Sequence, residues 1–140
     1  MSGKAFVDTN ILIYAMDSLA GERSAQAQNL LARLWRENQG VLSTQVLQEF
    51  CVNIRRKSSR HVPLRELRAT IREFMDWEVV VNTGASILRA LEVQERYQIS
   101  FWDAMIVQAA ANAGCEVLYS EDLSHGQEYQ GVLVVNPFVG

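Results

Sequence analysis

FVDTN, at residues 6–10, decides how the rest of the chain is read. An apolar run enters it, a carboxylate stands at Asp8, and two small polar residues, Thr9 and Asn10, close it before the chain turns apolar again through residues 11–16. Residues 4–8, KAFVD, have the continuous apolar character of a short buried strand. The next run is predicted to be a helix after a turn at Thr9 and Asn10, both suitable N-caps. An acid therefore stands where a strand leaves the core. One reading is structural: Asp8 caps the helix that begins at Ile11, or closes an Asx turn. The other is chemical: the carboxylate is held at a working edge of the molecule. This stretch alone leaves both open.

The same alternation continues outward. Residues 22–38 place Ala27, Leu30, Leu31, Leu34 and Trp35 at helical spacing and stop near Gly40. GVLST is a short strand. TQVLQEFCVNIRRK is a helix with Val46, Leu47, Phe50, Cys51 and Ile54 on one face. Pro63 suits the first turn of PLRELRATIREFMDW. EVVV is a strand, GASILRALEVQERYQ and SFWDAMIVQAAANAG are helices, the second ending at Gly114, and CEVLYS and VLVVN close the chain as strands. Nearly unalternating β-branched strands separated by helices predict an α/β fold, a parallel sheet of about five strands with helices on both faces. In such folds ligands bind beyond the carboxyl ends of the strands, which is where Asp8 lies.

The 140 residues, with 49% hydrophobic and 21% charged side chains, suit one soluble domain spanning residues 1–140. No stretch approaches the apolar length of a membrane span, and the first residues do not read as a secretory leader, so a cytoplasmic protein is expected. Cys51 and Cys115 lie within apolar patterns and are expected to be reduced and buried. Without a CxxC or a Cys/His cluster, a zinc site is not expected. The net charge of −3 hides an uneven distribution. Arg55, Arg56, Lys57, Arg60, Arg65, Arg68 and Arg72 are seven of the 13 basic residues and fall in one segment. That segment reads either as a solvated helical face or as a hold for a polyanion.

Three further acids need an account. Glu49 falls just outside the apolar face of its helix, either as an ordinary boundary residue paired with Asn53 or an arginine, or as a functional acid. Asp103 lies on a helix that is apolar almost all round. A carboxylate buried there is costly unless paired or metal-bound. Its structural reading is a capping box with Ser100. In LYSEDLSHG a strand runs into Ser120, Glu121 and Asp122, again an acid at a strand end, with a polar turn as the structural alternative. Acids gathered at one edge repel each other and need a cation. An all-oxygen set selects Mg²⁺ or Mn²⁺, ions that serve phosphodiester hydrolysis.

FVDTNILIYA, STQVLQEF, SFWDAMIVQAA and VLYSEDLSHGQ, in this order, resemble the motifs of the PIN domains, in particular the VapC-like ribonuclease toxins of toxin–antitoxin pairs. The resemblance covers nearly the whole chain. It implies that Asp8, Glu49, Asp103 and Asp122 form the acidic metal-binding set, supported by Thr9, Asn10, Ser100 and Ser120. Asp122 has Glu121 as an adjacent competitor for its place. The resemblance also implies a three-layer fold, Mg²⁺- or Mn²⁺-dependent endoribonuclease activity, a cognate antitoxin and a homodimer. On this reading Arg55, Arg56, Lys57 and Arg60 hold RNA phosphates, and cleavage leaves 5′-phosphate and 3′-hydroxyl ends. His61 and His125 stand outside the motifs and take no catalytic role. Two rivals are weighed beside it. An aspartyl-phosphate phosphatase needs a second Asp where Asn10 stands, and a downstream Lys. A non-catalytic RNA- or protein-binding module is expected to have lost one of the acids, and all four are present.

Overall fold

The computed structural model describes residues 3–58 and 60–139. Its centre is the first strand, β1 (Ala5–Val7), whose residues are all buried. Burial of consecutive side chains on a pleated strand means that both faces are covered. β1 runs into helix α1 (Thr9–Met16), a short 3₁₀ turn (Ser18–Ala20) and α2 (Glu22–Glu37). The chain returns through β2 (Gly40–Ser43), α3 (Thr44–Lys57), α4 (Leu64–Phe74) and β3 (Glu78–Val80). It continues as α5 (Gly84–Tyr97), α6 (Phe101–Asn112), β4 (Val117–Tyr119), β5 (Glu128–Tyr129) and β6 (Val132–Val135).

The strands stand in the order β3-β2-β1-β4-β6-β5. All neighbours are parallel except β5 and β6. The sheet thus has six strands where five were expected. The extra one is two residues long and pairs back onto β6 through Gln130 and Gly131, both at positive φ (53° and 79°). Two left-handed residues are what a tight hairpin needs.

Helix ends deviate in instructive ways. α1 begins two residues earlier than read from sequence, because Asp8 itself is the cap and accepts from the Thr9 amide. α2 stops at Asn38, which takes the left-handed conformation (φ 56°) ahead of Gly40. Gly40 serves instead as a close approach: a Cβ there would overlap the Trp77 ring. Pro63 is the N-cap of α4, one place before its first turn. Cys115 is buried, with its thiol pushed up to about 12 by burial, whereas Cys51 is only half-buried; both are free thiols.

α6 is the buried helix of the fold: every residue from Ala104 to Ala110 is inaccessible, and it packs against α5, β2, β4 and β6. Among the described residues no helix is long and apolar enough to cross a membrane. From β1 the chain moves towards β2 and β3 and later returns on the other side through β4. The reversal leaves a crevice beyond the carboxyl ends of β1 and β4, the position where open α/β sheets bind ligands.

Candidate active site

Asp8 and Ser120 close that crevice from its two strands. Asp8 directly follows β1 and is 7% exposed. Its amide donates to the Tyr119 carbonyl at 3.0 Å, tying it to the end of β4. Both carboxylate oxygens are held: Oδ1 accepts from the Thr9 amide at 2.7 Å, and Oδ2 accepts from Ser120 Oγ at 2.9 Å. Ser120 Oγ in turn accepts from the amides of Asp122 (3.2 Å) and Leu123 (3.5 Å). One hydroxyl therefore orients the first acid and shapes the turn that carries the last.

Glu49 comes from the middle of α3. Its partner is not Asn53 or an arginine but Thr9, whose Oγ1 donates to Glu49 Oε1 at 3.1 Å. Asp122 accepts from Asn10 Nδ2 at 3.3 Å, and Lys57 Nζ donates to Asn10 Oδ1 at 3.4 Å. Asp103 sits in the first turn of α6, half-buried rather than buried. Its amide donates to Ser100 Oγ at 3.1 Å, one half of the capping box expected from sequence; the return bond from the Ser100 amide to the Asp103 carboxylate is not made among the described residues. The four carboxylates line one cleft of about 130 Å³ with Thr9, Asn10 and Lys57.

The electrostatics follow from this geometry. Burial pushes the Asp8 carboxyl from 3.8 up to about 7, and nearby Asp122 and Glu49 push the same way. The bonds from Thr9 and Ser120 oppose that rise without cancelling it. Burial also raises Asp103, with Asp122 adding to the rise and Ser100 opposing it. Negative charge is thus under-compensated here, although Asp8 stands at the positive end of α1.

The donor set is all oxygen, which suits a hard divalent cation. Among the described residues, no three acid, His or Cys side chains are drawn together tightly enough to cage an ion outright. Mg²⁺ sites in general keep several waters and use one or two direct carboxylates.

Glu121, the competitor for the last acid, points elsewhere. It accepts from Tyr14 at 2.9 Å and pairs with Arg23 at 3.0 Å. Of the basic segment, Lys57 alone lines the cleft. Arg56 donates to Asn53 (2.6 Å), Arg60 pairs with Glu66 (2.7 Å), and Arg55 borders a separate groove. His125 accepts from the Asn136 amide at 3.0 Å, away from the acids.

A PIN-domain model matches residues 5–126 of the chain. The chain belongs to the PIN-domain family. Two solved structures are similar to it. One is a chain of a toxin–antitoxin complex from Klebsiella pneumoniae, with TM-score 0.70, 21% identity, and coverage of 96% of this chain and 98% of that one. The other is VapC20 of Mycobacterium tuberculosis, a toxin that cleaves the sarcin–ricin loop, with TM-score 0.63, 25% identity, and coverage of 84% and 88%. No curated protein matches this chain in sequence.

Sequence reasoning missed that this PIN domain offers a whole polar stripe of α3 to the cleft. Gln45, Glu49, Asn53 and Lys57 all line it. Their spacing of four residues puts them on one face of a helix, so the signal was present in the sequence. Trp102 also lines the cleft and was passed over beside Asp103.

Proposed function

We propose that this PIN domain, read as a single domain over residues 1–140, is a metal-dependent endoribonuclease and the VapC-like toxin of a toxin–antitoxin pair. The observation that carries the reading is the convergence of Asp8, Glu49, Asp103 and Asp122 on one cleft at the β1/β4 crevice. The likeness to VapC20, an RNA-cleaving toxin, supports the substrate class.

Asp8, Glu49, Asp103 and Asp122 would hold Mg²⁺ or Mn²⁺. The ion supplies a hard Lewis acid that neutralises phosphate charge and makes water a better nucleophile. The chain's own contributions follow from the contacts. Thr9 and Ser120 each bond one oxygen of Asp8 and so hold its carboxylate at the cleft. Thr9 also sets Glu49, and Asn10 sets Asp122, so the FVDTN stretch aligns three of the four acids. Lys57 brings the cleft's own positive charge and is suited to a phosphate oxygen. The proton of the attacking water passes to a carboxylate of the cleft. An O–P bond forms in line as the bond to the 3′ oxygen breaks. That oxygen takes a proton from solvent, and the products carry 5′-phosphate and 3′-hydroxyl ends.

Two partners belong to this reading, and the cytoplasm is the compartment that holds them. The groove between α3 and α4 has an apolar floor of Cys51, Leu67 and Ile71 and a rim of Arg55, Arg68 and Arg72. Its chemistry fits an amphipathic antitoxin segment with acidic flanks. Ile87, Leu88 and Leu91 lie exposed on α5 (46%, 66% and 48%), a stripe suited to a second copy in a homodimer.

The test is cleavage of single-stranded RNA by the purified chain, compared with Glu49→Gln and Asp103→Asn. The reading expects endonucleolytic products with 5′-phosphates from the parent and loss of most activity in each variant. A variant with parental turnover removes its residue from the site, and a parent chain inert on every RNA refutes the nuclease reading.

A further inference from the structure

Trp102 occupies the first turn of the most buried helix in the fold, yet it is 61% exposed. Its indole has a ring contact, and its backbone is tied to α3. The Phe101 ring stands against the indole at 5.2 Å and 74°, and Gln45 Nε2 donates to the Trp102 carbonyl at 3.2 Å. Trp102 lines two adjoining depressions. One is the carboxylate cleft. The other is walled by Gln45, Gln48, Glu49, Val52 and Asn53, and so shares the Gln45–Glu49–Asn53 face of α3 with the first.

Gln45 adds a second, independent observation. It is 5% exposed and lines both depressions. Its Oε1 is buried without a hydrogen-bond partner among the described residues. An orphaned buried acceptor is destabilising and rare, and it calls for a partner from outside the chain.

We infer that Trp102 and Gln45 form a nucleobase subsite beside the carboxylates, rests for the base next to the phosphate to be cut; the inference rests on the nuclease reading above. An exposed indole face stacks with any base, because every base has a π face. Gln45 Oε1 has almost no accessible surface, so it accepts an N–H from the base edge once the Gln45 side chain turns outward, and all four bases carry such an N–H. The neighbouring carboxylates repel a sugar–phosphate backbone, so a neutral ring is the part of the strand that fits here. Gln45, Gln48 and Asn53 place three side-chain amides on a wall they share with Val52 and the indole, so the depression offers a base both an apolar face and polar edge partners.

The experiment measures binding of a labelled single-stranded RNA to the full chain in chelator, by fluorescence anisotropy. A series of the same strand carries one abasic site at each position in turn. Trp102→Ala should weaken binding of the intact strand by about 5- to 100-fold, the range for removing one stacking aromatic. Trp102→Phe should stay close to the parent. The salt slope should not change, since no phosphate contact is lost. An abasic site at one position should weaken the parent to the same degree and add nothing to Trp102→Ala. Gln45→Met should bind the intact strand more weakly than the parent and the strand lacking that base equally well. Parental affinity in Trp102→Ala, or losses that ignore the position of the missing base, would overturn the subsite. So would a change of oligomeric state in Trp102→Ala, which would mark the ring as a contact between copies. RNA cleavage by the parent with Trp102→Ala unaffected sinks the subsite alone, whereas a parent that neither binds nor cuts RNA sinks the nuclease reading with it.

Discussion

Asp8→Asn should make the metal-free protein progressively more stable than the parent as pH rises. The Asp8 carboxyl is buried and raised from 3.8 to about 7. A group whose folded pKa is raised contributes stability below its unfolded pKa and loses it as pH rises through the folded value. For Asp8 that window runs from about pH 4 to pH 7. A shift of about three units corresponds to about 4 kcal/mol at about 1.36 kcal/mol per unit. Rather more than half of it, about 2–3 kcal/mol, falls between pH 5 and pH 8. Asn cannot ionise, so the stability difference between variant and parent should grow by that amount over the interval. In melting temperature this is a divergence of about 6–9 °C, at about 3 °C per kcal/mol for a domain of this size. The absolute offset is set separately, because Asn keeps one acceptor oxygen where Asp8 accepts from both the Thr9 amide and the Ser120 hydroxyl, so one of those two donors loses its acceptor. The assay is urea or thermal unfolding of chelator-treated protein at several pH values. Mg²⁺ should then restore the parent and leave the variant nearly unmoved, because a ligand stabilises only the form that binds it. A pH-independent difference between the two proteins would refute the reasoning and reduce Asp8 to an ordinary helix cap.

Ser120→Ala should lower stability by about 1–3 kcal/mol, the range for orphaning a buried partner, and lower cleavage as well, read by unfolding and by turnover. Glu121→Gln should change stability by less than about 1 kcal/mol and leave cleavage intact, because its Arg23 and Tyr14 partners lie outside the cleft. Asp122→Asn should cut turnover without a comparable loss of stability. Lys57→Ala should weaken RNA binding and flatten its log–log salt dependence by about one unit, while Arg60→Ala, already paired with Glu66, should do neither. The double variant Glu49→Gln, Asp103→Asn should turn over little more slowly than either single one, because groups acting as a unit are non-additive.

What could be read ahead of the structure depended on how local the cause was. α3 runs over Thr44–Lys57 as its periodicity indicates, because its boundaries are set within the segment, by the Ser43 cap at one end and the break after Lys57 at the other. α1 was read two residues short because the residue suspected of chemistry was also the cap. β5 escaped because two residues carry no periodicity, although Gln130–Gly131 is a hairpin signal.

The site divides in the same way. The four acids were legible as motifs, but their sharing of one cleft is a property of strand order, which no local pattern encodes. Glu121 and Asp122 could not be told apart from sequence, since the choice rests on which of two adjacent side chains meets Tyr14 and Arg23. The basic segment looked uniform, yet α3 ends after Lys57 and the chain turns through Pro63. That turn gives Arg60 to Glu66 and leaves Lys57 at the cleft. The four-residue polar ladder from Gln45 to Lys57 is legible in the sequence, but its periodicity alone does not say that this face of α3 meets the cleft.

The most direct test of the account is RNA cleavage by protein stripped with chelator, followed by add-back of Mg²⁺ or Mn²⁺. The carboxylate cleft predicts no cleavage without the ion, full recovery on add-back and 5′-phosphate ends on the products. Undiminished cleavage by the stripped protein would contradict it.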